Sequence, residues 1–326
     1  MLDVAFLGCG GTMPMPERFL ASMLLKYNGR KILVDCGEGT QVSMRRLGWG
    51  FKSIDIICIT HFHGDHILGL PGLLATISNS GREEPIYIIG PEGLYEVMNG
   101  LKVVIPYLAF EIFIIENPKG SILVDFEKDK AVLFENYINT LAEGKQELKA
   151  QLEISTSELD HSSPCIGYSF YIRRSPKFAV EKAIKNQVPK VLWSKLQKNE
   201  VQDFEGKTYT PSMVLAEERK GLKISYITDT RPIESIREFV EGSDLLVCEG
   251  TYGADEDIEK AMKNKHMTFR ESATIAKEAN VDELIITHYS PAMMNPGEYI
   301  ENAANVFKNT SLAYDGAVKT INFKEN

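Results

Sequence analysis

Residues Ile54 to Thr60, IDIICIT, form a near-continuous apolar run rich in β-branched side chains, and they lead straight into His61-Phe62-His63-Gly64-Asp65-His66. A run of this kind marks a strand covered on both faces, as found where helices pack on either side of a parallel sheet. The chain is thereby directed to an α/β architecture. Strand ends in such sheets gather on one rim where ligand sites form, so the polar cluster falls where chemistry is expected.

Three of the chain's six histidines lie in that cluster, and three imidazoles with a carboxylate in six residues are hard to explain as packing. On a tight turn His61 and His63 can point to one side while Asp65 and His66 reach another, supplying ligands to two adjacent cations. Imidazole nitrogen with carboxylate oxygen suits zinc, with manganese or iron as substitutes. His161, His266 and His288 also lie at or just beyond predicted elements, and Asp229 ends the apolar strand LKISYITD. Each alone would pass as a cap or a satisfied polar group. Their shared placement points to one site.

The remaining pattern is that of one domain over residues 1–326. LDVAFLG reads as a first strand, and SMLLKYNGRKILVDCG as two strands joined at the hairpin dipeptide Asn28-Gly29. HILGLPGLLATI carries a helical stripe interrupted by Pro71, IYIIG returns to strand, and GLYEVMNGLKVV to helix. Residues 111–173 read as short strands with turn marks at Asn117 to Gly120, followed by a lysine-rich helix at about 177–197. The last third alternates strand and helix, and one helix opens on a capping box at Thr268 and Glu271.

Composition narrows the function. A formal charge of −9 excludes a general nucleic-acid coat, since phosphate binding relies on Lys and Arg. Residues 171–200 are the local exception, with eight basic side chains, among them Lys190, Lys195 and Lys198, against two acidic ones. No window approaches the roughly 18 apolar residues of a membrane helix, so no membrane partner is expected. Five scattered cysteines without a CxxC pair read as reduced thiols of a cytoplasmic protein.

The motifs THFHGDHILGLPGLL, DCGEGTQ (from Asp35), DHSSPCIGY, DTRP (from Asp229), HMTFRESATIAKEA and THYSP resemble those of ribonuclease Z, a group of the metallo-β-lactamase superfamily. The resemblance runs over the whole chain. It implies a four-layer αβ/βα sandwich with a protruding basic helical arm, here 171–210, that grips RNA. It also implies a metal-dependent endoribonuclease, acting at the 3′ end of precursor transfer RNA through a hydroxide activated by two divalent ions per subunit. One ion would be held by His61, His63 and His161, the other by Asp65, His66 and His288, with Asp229 between them. Asp65 has the chemistry to accept a proton from the attacking water, and His266 is placed to steady the phosphate or protonate the leaving 3′-oxygen. Glu249, closing the strand LLVCEG, is placed to hydrogen-bond a ligand histidine. A homodimer is implied as well, and no DNA partner.

Two stretches depart from the family pattern. Its Pro-x-Lys-x-Arg-Asn element, which positions the RNA end, reads here Pro14-Met15-Pro16-Glu17-Arg18-Phe19 and keeps only Pro14 and Arg18. Thr228 stands where glycine is usual, and residues 117–150 are longer than a short bacterial relative needs. A phosphodiesterase acting on another substrate is therefore the second reading. A thioester or lactone hydrolase of the same fold, or an RNA-binding scaffold without activity, ranks lower, because the ligand set is complete and the basic segment points to nucleic acid.

Overall fold

The computed structural model describes residues 1–126, 131–135 (backbone only) and 150–324. Two mixed sheets face each other across the main core. The first contains β1 (Leu2–Gly8), β2 (Ser22–Tyr27), β3 (Arg30–Val34), β4 (Ile54–Cys58), β5 (Ile86–Gly90), β6 (Ile112–Glu116) and β17 (Val318–Ile321), in the order β17-β1-β2-β3-β4-β5-β6. The second contains β7 (Ser121–Phe126), β8 (Ala131–Glu135), β9 (Leu152–Glu158), β10 (Ile166–Arg174), β13 (Arg219–Ile227), β14 (Leu245–Glu249), β15 (Leu284–Thr287) and β16 (Thr310–Leu312), in the order β16-β15-β14-β13-β10-β9-β7-β8. β11 (Gln202–Phe204) and β12 (Lys207–Tyr209) pair separately.

β4 lies between β3 and β5, parallel to both, and every one of its residues is buried, as its composition requires. Helices α1 (Thr40–Leu47), α3 (Leu70–Asn79) and α4 (Leu94–Lys102) cover the outer face of this sheet through Met44, Leu73, Leu74, Ile77 and Met98. The short α2 (Gly64–Ile67) stands before α3, and Pro71 sits in the first turn of α3, where its missing N–H costs nothing. Between the sheets lies the larger core, with Val4, Ile56, Tyr168, Phe170 and Ile224, extending outward under α7 (Glu234–Val240) and α9 (Phe269–Glu278). This is the expected sandwich.

Local chemistry explains the joints. Asn28 and Gly29 take φ of 48° and 80°, the left-handed pair that a tight hairpin between β2 and β3 needs. The turn at Asn117 to Gly120 is not a hairpin but the crossover from the first sheet to the second. At the start of α9, Thr268 accepts from the Glu271 amide while the Glu271 carboxylate accepts from the Thr268 amide, a closed capping box. Thr268→Ala should therefore lower stability by about 1 kcal/mol, readable as a shifted urea midpoint with an unchanged slope.

The lysine-rich segment differs from the expected continuous helix. It breaks into α5 (Val180–Lys185) and α6 (Trp193–Gln197), with Gln187 at φ 54° and Pro189 between them. A residue before proline is steered away from helix, and proline cannot donate to the preceding turn. The insertion leaves the sheet after Arg174 and rejoins it at Arg219, both bounds later than 171 and 210, because β10 continues to Arg174. It has its own small core of Ala183, Val188, Leu192, Leu196, Tyr209 and Val214. α8 (Ile258–Asn264) and α10 (Ile300–Ala304) complete the α-helices among the described residues. Most of the long stretch 117–150 lies outside the described residues.

Candidate metal centre

All six histidines converge on the rim where the parallel strands of both sheets end. β4 delivers His61, His63 and, through α2, Asp65 and His66; the turn after β9 delivers His161. β13, β14 and β15 run parallel and deliver Asp229, Glu249 and His288. The backbone is strained there. Asp35, Asp229 and His288 have φ of 56°, 45° and 61°, a left-handed conformation costing a non-glycine residue about 1–3 kcal/mol and tolerated where the surroundings enforce it.

The donor atoms fall into two groups on either side of Asp229. His61 Nε2 lies 3.1 Å from His63 Nδ1, and His161 Nε2 lies 3.2 Å from the same atom. Asp229 Oδ2 faces this group, 3.5 Å from His61 and 3.7 Å from His161. In the second group His66 Nε2 lies 3.1 Å from His288 Nε2, and Asp65 Oδ2 lies 3.6 and 3.4 Å from them. The other oxygen of Asp229, Oδ1, faces this group at 3.5 and 3.2 Å.

Proton counting tests whether a cation fits. The Lys265 carbonyl 3.2 Å from His161 Nδ1 can only accept, so that nitrogen carries the hydrogen and Nε2 is bare. His66 Nδ1 donates likewise to Asp35 Oδ2 at 2.8 Å. His288 Nδ1 lies 3.0 Å from Thr251 Oγ1, whose single proton goes to Glu249 Oε2 at 2.6 Å; the hydroxyl therefore accepts from the imidazole. The Nε2 lone pairs of His66 and His288 then face each other at 3.1 Å, which requires a positive charge between them. A proton on His66 is one answer: burial opposes it, but Asp229 and Asp35 outweigh burial and raise its pKa well above the ordinary value. A metal cation also satisfies Asp65 and Asp229, so the second donor set fits a cation, and the donor atoms of His61, His63, His161 and Asp229 gather closely enough to hold another.

Charges around the groups follow the same geometry. Burial alone would raise the Asp229 pKa, but His288, His66 and His61 outweigh it and hold the carboxyl well below the usual range. Asp65 is likewise held down by His288 and His66 against its burial, and its Oδ2 accepts from the Thr12 amide at 2.5 Å. His61 is pushed well below the ordinary histidine value by burial and then by neighbouring His66.

His266 stands beside the second group, its ring stacked on His288 at 5.6 Å and its Nδ1 3.2 Å from Glu249 Oε1. Burial lowers its affinity for a proton, but Glu249 outweighs that and raises the pKa to about 9. Glu249 also reaches His288 through Thr251 and accepts from the Thr230 and Met267 amides. Arg231 pairs with Glu271 and donates to the His266 carbonyl, fixing the loop that carries this histidine.

Several of these residues carried no assignment in the sequence. Asp35, Thr60 and Thr251 hold imidazoles from outside the groups, and their places just beyond strand ends, with Asp35 opening the DCGEGTQ motif, were the available signals. Gly11 packs so closely that a Cβ there would meet the His288 ring at 2.5 Å. Arg18 stacks on Tyr289 and donates to the Ser290, Met293 and Met294 carbonyls, so its guanidinium is spent on fastening the loop. Lys190, Lys195 and Lys198 are exposed and distant in the chain from the rim.

Family models agree with the architecture in two pieces, one described as anti-Pycsar protein Apyc1 over residues 2–105 and one as a beta-lactamase superfamily domain over residues 189–289. Ribonuclease Z of Clostridium beijerinckii is 57% identical over 327 residues, covering 100% of both chains, and that of Clostridium botulinum (strain Eklund 17B) is 54% identical, covering 99% of each. The crystal structure of human tRNase Z, short form, superposes with a TM-score of 0.66 at 27% identity, covering 98% of this chain and 99% of that one. Identity above one half from end to end is a family relationship: the chain belongs to the ribonuclease Z family.

Proposed function

We propose that the chain is a metal-dependent endoribonuclease that hydrolyses a phosphodiester at the 3′ end of precursor transfer RNA. The observation that carries this reading is Asp229, whose two oxygens face two separate groups of imidazoles with bare nitrogens. His61, His63 and His161 would hold one divalent ion and Asp65, His66 and His288 the other, with Asp229 shared between them. The ions, when bound, would lower the pKa of water and polarise the phosphoryl oxygens. Asp65, at the edge of the second group, is in position to take the proton of the attacking water. His266, held by Glu249 and open on one side, meets the leaving 3′-oxygen or the phosphate.

Finer assignments follow the donor chemistry. Mixed imidazole and carboxylate donors suit zinc, with manganese or iron able to replace it. Lys190, Lys195 and Lys198 on the insertion would grip the RNA away from the cut, and in a homodimer they would serve the partner's site. A cytoplasmic location agrees with five buried, unpaired cysteines. Among the described residues no helix is long and apolar enough to cross a membrane.

One observation favours the second reading, a phosphodiesterase with another substrate: Arg18 spends its donors on backbone carbonyls and leaves the altered Pro14 to Phe19 stretch without a free cation for an RNA end. Parallel assays separate the two. Chelated protein should cut neither a chromogenic phosphodiester nor a transfer RNA precursor with a 3′ trailer, and added zinc or manganese should restore both cuts. Restored cleavage of the small ester alone would leave the hydrolase and remove transfer RNA as its substrate.

A further inference from the structure

Asp35 and Thr60 form a buried relay between the two groups of metal donors. Asp35 Oδ1 accepts from the Thr60 amide at 2.8 Å, and its two oxygens lie 3.0 and 2.9 Å from Thr60 Oγ1. Its Oδ2 also accepts from His66 Nδ1 at 2.8 Å, and Thr60 Oγ1 lies 3.1 Å from His61 Nδ1. All four residues are essentially without solvent exposure.

The proton inventory leaves one arrangement. A carboxylate only accepts, so the Thr60 hydroxyl must give its single proton to Asp35, and its oxygen is then free only to accept. His61 must therefore carry its hydrogen on Nδ1 and present a bare Nε2 toward His63 and Asp229. His66 is set the same way by Asp35 directly. His61 belongs to one donor group and His66 to the other. We propose that Asp35 is a positioning residue for both metal positions at once, acting directly on His66 and through the Thr60 hydroxyl on His61, so that one carboxylate fixes the tautomer of a ligand in each. This rests on the two-ion reading above.

The left-handed φ of 56° at Asp35 supports the assignment. Asp35 takes this conformation directly after β3, with its carboxylate buried against Thr60 and His66. A carboxylate with only a folding role would gain nothing from reaching two imidazoles that belong to different groups.

The test uses protein labelled with ¹⁵N at histidine, where six residues give a resolvable spectrum. Metal-free wild type should show His61 and His66 with hydrogen on Nδ1, and zinc titrated against a chromophoric chelator should fill two sites. Thr60→Val keeps the shape and removes the hydroxyl. It should shift His61 alone away from the Nδ1–H form and weaken one zinc site about 10- to 100-fold, the usual cost of losing a partner behind a ligand. Thr60→Ser should restore both. Asp35→Ala, which removes both acceptor oxygens, should disturb both histidines and weaken both sites.

Unaltered His61 tautomer and zinc affinity in a folded Thr60→Val protein would overturn the relay. Weakening of only one site in Asp35→Ala would overturn the shared role. Failure of wild type to take up two zinc ions would instead refute the two-ion reading, so the two failures are distinguishable. Circular dichroism of each metal-free variant separates these results from loss of fold.

Discussion

Asp229→Asn is expected to lower kcat/KM for precursor transfer RNA by about 10³-fold or more, with small phosphodiesters affected equally. Several kcal/mol of transition-state stabilisation are at stake where paired ions act, and each 1.4 kcal/mol is about a factor of ten in rate. Asparagine preserves the size of the side chain but puts an NH₂ group where one oxygen now faces either His61 and His161 or His66 and His288. Whichever way the amide turns, one group of imidazoles meets a donor in place of an anion. The measurement pairs turnover with zinc stoichiometry by mass spectrometry of the native protein. Activity within tenfold of wild type, with two ions still bound, would remove Asp229 from its shared position.

The convergence of Asp229 with the histidines was legible in the sequence because of where the strands end. The buried run before His61 announced a parallel strand, and Asp229 and His288 follow apolar runs of the same kind, so one rim was the natural meeting place. The hairpin at Asn28 and Gly29 and the capping box at Thr268 were legible too, since each is written in adjacent residues. Relations across space were not. Asp35 and Thr60 lie 25 residues apart and meet only because β3 and β4 are parallel neighbours. Left-handed φ at Asp35, Asp229 and His288 left no trace either, because Asp and His enter that region without the glycine that would have marked it. The insertion's helix was overextended because lysine-rich periodicity carried through Pro189, where backbone sterics end it.

Reversing Lys190, Lys195 and Lys198 to glutamate should raise KM for precursor transfer RNA by about 10²-fold near physiological salt while leaving a small phosphodiester within twofold. The estimate follows from counterion release: each phosphate contact contributes a slope of about −0.9 in log K against log salt, or roughly fivefold per contact at 0.15 M relative to 1 M. Three lost contacts multiply to about 10². All three lysines are exposed, and the segment that carries them packs on the insertion's own core, away from the two sheets' interior. Their substitution therefore has no route to the metal centre through packing, and kcat for the small ester reports that directly. The salt dependence of KM should also flatten, by close to three units of slope, because the charges that released counterions are gone. Equal losses on both substrates would place the damage in the hydrolytic core and count against the insertion as an RNA grip. An unchanged KM for RNA would do the same, and would shift attention to the altered Pro14 to Phe19 stretch and to a substrate other than transfer RNA.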